Sequence, residues 1–144
     1  MNILLATDGS NCSNAAAQHI AKLFRLLENE VRVLTVVEPI TTAVMPQMAP
    51  GYYPELEDQK REAKALVERT AKIIAEAGFK VSTLVLTGDA KTVILDEAAD
   101  WRADLIVLGS HGRKGIGRFL LGSVSEAVAR HTACSVEIVR TTSH

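Results

Sequence analysis

The sequence is short of aromatic residues and of net charge, and each shortage excludes something. Aromatic residues make up only 4% of the 144-residue chain, so its core must be built from alanine, valine, isoleucine and leucine. Acidic and basic residues nearly cancel, to a formal net charge of -1. This balance lacks the excess of positive charge that binding to a nucleic-acid backbone favours. We therefore expect no nucleic-acid partner.

Cysteine and long apolar runs are also scarce. The two cysteines, Cys12 and Cys134, form no C-x-x-C pair. We interpret them as free thiols in a reducing compartment, with a disulfide between them as the less favoured alternative. The apolar run at residues 3–6 is too short for the core of a signal peptide or for a membrane span. These features predict a cytoplasmic protein without a membrane partner.

The chain does contain a regular alternation of two kinds of segment. Short runs rich in apolar and β-branched residues are typical of buried strands. Longer segments with apolar residues at helical spacing are typical of amphipathic helices. The alternation predicts one α/β domain over residues 1–144, with parallel strands and helices on both faces. We place strands at 3–6, 31–37, 81–87, 105–108 and 136–139, and helices at 13–27, 55–77, 93–101 and 123–131.

Two local features refine these boundaries. Ser13 or Asn14 has the side chain to cap the first helix. Residues 38–54 contain all four prolines of the chain, a density that no regular backbone ladder tolerates. We predict a flexible, disordered loop there, with a functional lid as the alternative.

Two loops have the composition of a ligand site. One is Ala6-Thr7-Asp8-Gly9-Ser10 after strand one, and the other runs from Gly109 to Gly122 after strand four. Ligands of open α/β sheets bind beyond the carboxyl ends of the strands, where the strand order reverses. The second loop joins glycines to a helix start and predicts a phosphate site. Its cations are Arg113, Lys114 and Arg118, and it lacks the G-x4-G-K-S/T and G-x-G-x-x-G motifs.

The spacing Gly109-x2-Gly112-x9-Gly122-Ser123 resembles the G-x2-G-x9-G-S/T signature of the ATP-binding branch of the universal stress protein family. The stretches 6–10, 36–38, 104–113 and 120–126 are similar to that family too. The resemblance implies an open five-stranded parallel sheet of order 3-2-1-4-5, of the adenine nucleotide alpha hydrolase-like kind. It implies ATP as ligand, with Mg or Mn reached through the phosphates. The nucleotide-binding residues that it implies are Ala6, Thr7, Asp8, Val36, Gly109, Ser110, His111, Gly112, Arg113, Gly122, Ser123, Val124 and Ser125.

These residues have implied roles, and two of them have alternatives. The resemblance places the residue matching Asp8 beside the nucleotide, the backbone of the residue matching Val36 against adenine, and the glycine-bearing segments along ribose and phosphates. Asp8 also fits a turn residue. Ser123 also begins a capping box with Glu126, and we expect it to serve both purposes.

Other reactive residues receive simpler interpretations. We expect His111 to hydrogen-bond locally rather than to act as a general base, and we assign no catalytic residue. Cys12 is expected to be inert or mildly reactive, and Trp101 is expected in the core. We expect no metal site made by protein side chains alone.

The last strand has one polar face. Glu137 stands between Val136 and Ile138, which suits an edge strand that is either charged against pairing or paired with a second copy across a two-fold axis. The resemblance implies a homodimer through this strand. The family often has proline where Ser135 stands and an apolar residue where Glu137 stands. The charge at Glu137 argues against pairing of two copies through this strand.

Three functions fit these patterns. The first is an ATP-binding protein in which the nucleotide is a regulatory ligand in stress response or signalling. The second is an ATP hydrolase, slow at most because no dedicated base is evident. The third is a protein-interaction module that acts without nucleotide. The intact glycine spacing argues against this third function.

Overall fold

Strands and helices alternate along the residues that the computed structural model describes, which are 1–23, 29–39, 54–111 and 122–141. The strands pair in parallel in the order 3-2-1-4-5. The predicted fold class and strand order are therefore confirmed. The elements are β1 Asn2–Ala6, α1 Asn11–Leu23, β2 Glu30–Val37, α2 Pro54–Glu76, β3 Lys80–Thr87, α3 Ala90–Asp100, β4 Leu105–Gly109, α4 Ser123–His131 and β5 Ser135–Val139.

The core lies on both faces of the sheet. Along β1, Ile3 and Leu5 pack into a cluster shared with α1 and α2, whereas Leu4 packs into a second cluster shared with α3 and α4. All three side chains are 0% exposed. Burying each of them stabilises the fold by roughly 1.5–3 kcal/mol. Burial on both faces explains why the strands read as continuous apolar runs rather than as an alternation.

The start of α1 differs from the prediction. The helix begins at Asn11, two residues before the predicted boundary. The hydroxyl of Ser10 accepts from the N–H of Ser13 at 3.3 Å, and the carbonyl of Ser10 accepts from the N–H of Asn14 at 2.9 Å. Capping by Ser13 or Asn14 was therefore the wrong prediction, because Ser10 holds the cap position. The predicted end of this helix falls on residues 24–28, outside the described residues.

The long helix α2 begins at Pro54, one residue earlier than predicted. Proline fits the first turn of a helix, where its missing N–H would have no intrahelical partner. The helix ends at Glu76, and Gly78 follows with φ +102°, which confirms the predicted glycine stop. The predicted flexible loop at 38–54 falls mostly on residues 40–53, which lie outside the described part of the chain.

Trp101 follows α3 and packs at the edge of the cluster shared with α4, as predicted for a core residue. The guanidinium of Arg32 lies 4.5 Å from the centre of its ring and also pairs with Glu97 at 3.2 Å. This contact joins β2 to the end of α3, and it combines a cation–π interaction with an ion pair.

The polar face of β5 is turned toward α1. The carboxylate of Glu137 contacts the imidazole Nε2 of His19 on that helix. The neighbouring residues Val136 and Ile138 pack toward α3 and α4 on the opposite face. The charge of Glu137 therefore lies over one face of the sheet, against a helix of its own chain.

Candidate functional site

The two loops predicted to form a site lie side by side. β1 and β4 are neighbours in the sheet, and the chain leaves β1 toward β2 on one side and returns to β4 on the other. The hydroxyl of Ser10 donates to the carbonyl of His111 at 3.3 Å, and the thiol of Cys12 lies 3.5 Å from the hydroxyl of Ser110. Both loops therefore meet at the carboxyl edge, where the strand order reverses.

The loop after β1 is a turn held by its own side chains. Asp8 Oδ1 accepts from the N–H of Ser10 at 2.9 Å, and Gly9 has φ +81°. The turn role predicted for Asp8 is confirmed. Thr7 is 5% exposed, and its hydroxyl donates to that of Ser13 at 3.0 Å. This loop has a fixed shape because its polar groups bind one another.

Val36 lies where β2 continues beyond β1. Ala6, the last residue of β1, pairs with Leu34, so Val36 extends two residues further. The carbonyl of Leu34 accepts from the N–H of Thr7 at 2.9 Å. Because N–H and C=O groups two residues apart on a strand point the same way, those of Val36 point toward the β1 side, beyond the last β1 pair. This orientation suits a ligand bound through the main chain.

Gly109 ends β4 against the first turn of α1. A Cβ atom at this position would lie 2.6 Å from the backbone carbon of Cys12 and 2.7 Å from the backbone nitrogen of Ser13. Real Cβ atoms do not approach a backbone so closely, and backbone atoms cannot move aside as a flexible side chain can. The absence of a side chain at Gly109 therefore lets a helix approach a strand.

Ser110 is 1% exposed and bonds to three neighbouring elements. Its N–H donates to the carbonyl of Val139 at 2.9 Å, and its carbonyl accepts from the N–H of Gly122 at 2.7 Å and from Ser125 Oγ at 2.9 Å. Its hydroxyl lies 3.1 Å from Nδ1 of His111. The polar groups of Ser110 are therefore engaged within the protein.

The start of α4 also differs from the prediction. Gly122 is the cap residue, with φ −64° and ψ 157°, and no side chain of the described residues accepts from the first N–H groups of this helix. The predicted capping box is wrong, because the N–H of Glu126 donates to the carbonyl of Gly122 at 3.0 Å instead of to Ser123. Ser123 is the exposed first residue of the helix. The first N–H groups of α4 thus receive no side-chain cap from the described residues.

His111 lies beside this helix start, and Cys12 contacts the neighbouring Ser110. Nδ1 of His111 faces the Ser110 hydroxyl, which confirms a local hydrogen bond, while its buried Nε2 has no hydrogen-bond partner among the described residues. Burial raises the pKa of the Cys12 thiol, but hydrogen bonds with the Ser110 side chain and with the backbone of Thr141 and His111 outweigh that effect. The net pKa of Cys12 lies below its ordinary value, which favours the thiolate.

Several residues around this edge were expected from the sequence, and several were not. Gly112, Arg113, Lys114 and Arg118 lie outside the described residues. Ser10 was expected in the loop after β1 but not as the cap of α1, and the segment after β5 was not expected at this edge. Ser10 was detectable, because it stands three residues before Ser13 in a serine-rich turn. Thr141 carries no such signal, since its proximity to Cys12 depends on the pairing of β4 with β5.

An open parallel sheet whose β1 and β4 loops meet where the strand order reverses defines the doubly wound class of α/β proteins. The chain belongs to the universal stress protein family, whose family model matches residues 1–140. Universal stress protein MJ0531 of Methanocaldococcus jannaschii is 33% identical over 139 residues, which cover 96% of this chain and 81% of that protein. In the described residues, no helix is both long enough and apolar enough to cross a membrane.

Solved structures share the fold. The structure of hypothetical protein MJ0577 superposes with a TM-score of 0.86 at 30% identity, covering 99% of this chain and 97% of the other. Universal stress protein UspA from Lactobacillus plantarum gives 0.83 at 25% identity, covering 97% of each chain. A universal stress protein in complex with cAMP gives 0.75 at 22% identity and covers 99% of this chain and 98% of the other, which establishes likeness of fold alone.

Proposed function

We propose that the chain is an adenine-nucleotide-binding protein of the cytoplasm that holds ATP as a regulatory ligand, with the phosphates at the start of α4. The observation that carries the proposal is the helix start at Gly122, where no described side chain caps the helix. Such a start presents N–H groups without intrahelical partners and a partial positive charge, and both favour phosphate. Ser123, Val124 and Ser125 supply these N–H groups.

The other parts of the nucleotide meet residues on the neighbouring strands. Adenine binds to the backbone of Val36, whose N–H and C=O point beyond the end of β1. Ribose lies between, where the Asp8 carboxylate accepts from its hydroxyl groups while it also holds the turn at Ser10. Phosphates at α4 and adenine at β2 then span the carboxyl edge on either side of β1.

Proteins of the same fold with nucleotides bound support this proposal. One is the universal stress protein in complex with cAMP, and another is a universal stress protein family protein from Arabidopsis thaliana with AMP bound. Both share an adenosine and at least one phosphate. Those are the parts of ATP that we place at Val36, Asp8 and α4.

Any metal ion enters with the nucleotide in this proposal. Among the residues that the structure describes, no group of three or more His, Cys, Asp or Glu side chains is arranged to hold a metal ion. Mg or Mn would therefore be held mainly by phosphate oxygens, the hard ligands that these ions prefer. Affinity for ATP should then depend on the metal, whereas affinity for adenosine should not.

Calorimetric titration of the chain with ATP, ADP, AMP and adenosine, with Mg or with a chelator, tests the proposal. Affinity should fall stepwise as phosphates are removed, because the helix start contributes less to each shorter ligand. The absence of both heat and a thermal shift at millimolar ATP would reject nucleotide binding. The protein would then be better described as an interaction module that acts without nucleotide.

We also propose that the chain forms a homodimer through β5. Among the residues that the structure describes, this strand pairs with β4 on one side and with no strand on the other. Glu137 does not oppose such pairing, since its carboxylate lies against His19 on one face. Sedimentation equilibrium should give twice the mass of 15.5 kDa. A monomer at all protein concentrations would contradict the dimer and leave the nucleotide proposal unaffected.

A further inference from the structure

The hydroxyl of Ser125 lies at the closing point of the loop between β4 and α4. Ser125 is 2% exposed, and its Oγ lies 2.9 Å from the carbonyl oxygen of Ser110 and 3.0 Å from that of Gly122. The N–H of Gly122 donates to the same Ser110 carbonyl at 2.7 Å. One buried carbonyl at the end of β4 therefore receives two donors from the first turn of α4. We call these contacts the Ser110–Ser125 clasp.

The clasp also brings two backbones close together. A Cβ atom on Gly122 would lie 3.1 Å from the Ser110 oxygen and 3.4 Å from Cα of His111. This approach fixes the first turn of α4 against the end of β4, and so fixes the direction of its first N–H groups. Ordering a mobile group on binding costs free energy. A helix start that is already fixed therefore binds an anion more tightly than a mobile one.

The equivalent residue of α1 uses its hydroxyl differently. Ser13 is likewise three residues after its cap residue, and its hydroxyl donates to the carbonyl of Ser10 at 3.0 Å. It is also buried, at 3% exposure. Unlike Ser125, it does not bond to the end of β4 in the described contacts. Ser13 accepts from the hydroxyl of Thr7, just beyond β1, at 3.0 Å, but it donates only to the carbonyl of its own cap residue in the described contacts. Donation to the carbonyl that follows the preceding strand is thus particular to Ser125.

The single proton of the Ser125 hydroxyl is used within the protein. Both of its near neighbours are carbonyl oxygens, which can only accept, so the hydroxyl must act as the donor. Phosphate oxygens also only accept at neutral pH, and they would compete for the same proton. The buried hydroxyl is therefore suited to holding the helix start rather than to contacting a phosphate.

We infer that Ser125 is a positioning residue of the phosphate site: its hydroxyl closes the Ser110–Ser125 clasp and thereby sets the first turn of α4 for the nucleotide. This inference rests on the proposed nucleotide function. The side chain of Ser125 bonds to the carbonyls of Ser110 and Gly122, while the backbone N–H of Ser125 binds the phosphate.

Two measurements on Ser125→Ala test the inference. In the nucleotide-free chain, exchange of the Gly122 amide proton, followed by NMR, should become about fivefold faster, because the first turn of α4 loses a contact that holds it against Ser110 and opens more often. Affinity for ATP by calorimetry should fall about tenfold. Ser125→Thr keeps the hydroxyl and should restore both. Ser82→Ala, which removes a hydroxyl that accepts from Arg32 at 3.2 Å, is the matched control and should change neither.

Each other result overturns the inference. Weaker ATP binding with unchanged Gly122 exchange would mean that the hydroxyl contacts the nucleotide directly. Faster exchange with unchanged affinity would mean that the clasp is structural only. Failure of the wild-type chain to bind ATP would remove the proposed function and the positioning role together, and exchange at Gly122 would still show separately whether the clasp exists.

Discussion

Two helices, α1 and α4, begin at the same edge of the sheet. They differ in whether a side chain accepts a hydrogen bond from their first N–H groups. At α1, the Ser10 hydroxyl accepts from the Ser13 N–H, so the helix start is closed by its own chain. At α4, the cap residue is Gly122, and no described side chain accepts a hydrogen bond from the first N–H groups. Both starts lie beside Ser110 and His111 and both are rich in serine.

The difference shows that a serine-rich helix start is not by itself a ligand site. At α1 the hydroxyl groups bond to backbone and to one another, which leaves little for a ligand. At α4 the one buried hydroxyl bonds backward to carbonyl oxygens, which leaves the N–H groups without a side-chain partner. The hydroxyl of the cap residue, which Ser10 has and Gly122 lacks, therefore distinguishes a closed start from an open one.

The largest expected effect is a loss of stability at Gly109. Gly109→Ala places a methyl group against the Cys12 backbone and should destabilise the fold by about 3 kcal/mol in chemical denaturation. Gly122→Ala is the matched change at α4, where the nearest atom would be 3.1 Å away, and should cost about 1 kcal/mol. Equal losses at the two glycines would show that the α1 contact is not tighter.

The second prediction concerns charge at the open start. Ser123→Asp adds a negative charge to the first turn of α4, which should stabilise the helix by about 0.3–1 kcal/mol yet weaken ATP binding about tenfold through repulsion of the phosphates. Asn11→Asp makes the matched change at the exposed first residue of α1. It should give a similar stabilisation in thermal unfolding, with a change in affinity smaller than about threefold because solvent screens it.

The third prediction tests the cap itself. Ser10→Ala removes the hydroxyl that accepts from Ser13 and should destabilise the protein by about 1 kcal/mol. Ser123→Ala removes an exposed hydroxyl that caps nothing and should change stability by less than about 0.5 kcal/mol. Urea denaturation of the two variants beside the wild type measures both. The contrast between the two starts would be lost if the two alanine variants were equally stable.

The smallest expected effect depends on pH. The pKa of Cys12 is lowered by its hydrogen bonds, so alkylation of this residue should stay fast at a lower pH than alkylation of free cysteine. A lowered folded-state pKa also makes the thiolate stabilise the fold. That contribution is complete above the pKa of the unfolded chain and is lost as pH falls through the folded-state pKa. Cys12→Ser should remove this slope from stability measured against pH, whereas an unchanged slope would assign it to another group.

The sheet was predictable from sequence because its strands are buried on both faces. Ile3, Leu4 and Leu5 form a run that a buried strand explains better than a helix of the same length. The order 3-2-1-4-5 followed from the family resemblance rather than from the strands themselves. Helix starts were less predictable, because several small polar residues compete for each cap, and tertiary contacts such as that of Ser10 with His111 decide between them.

Sequence could predict which loops form the site and which residue types they contain, but not the contacts between them. The meeting of the loops after β1 and β4 follows from the topology of open α/β sheets. The bond between Ser125 and Ser110 joins residues 15 positions apart across a loop, and nothing in local sequence distinguishes it from a cap. The need for glycine at position 109 was likewise not predictable from sequence, because it depends on how closely α1 approaches the end of β4.

The neighbouring strands β1 and β2 do not end at the same level of the sheet, because β1 stops at Ala6 while β2 continues to Val37. The resulting step is lined by main chain at Val36. A base seated on that step would meet the same backbone donor and acceptor for any residue at the position except proline, which lacks the N–H. Most substitutions at Val36 would then leave recognition of the base by the backbone intact.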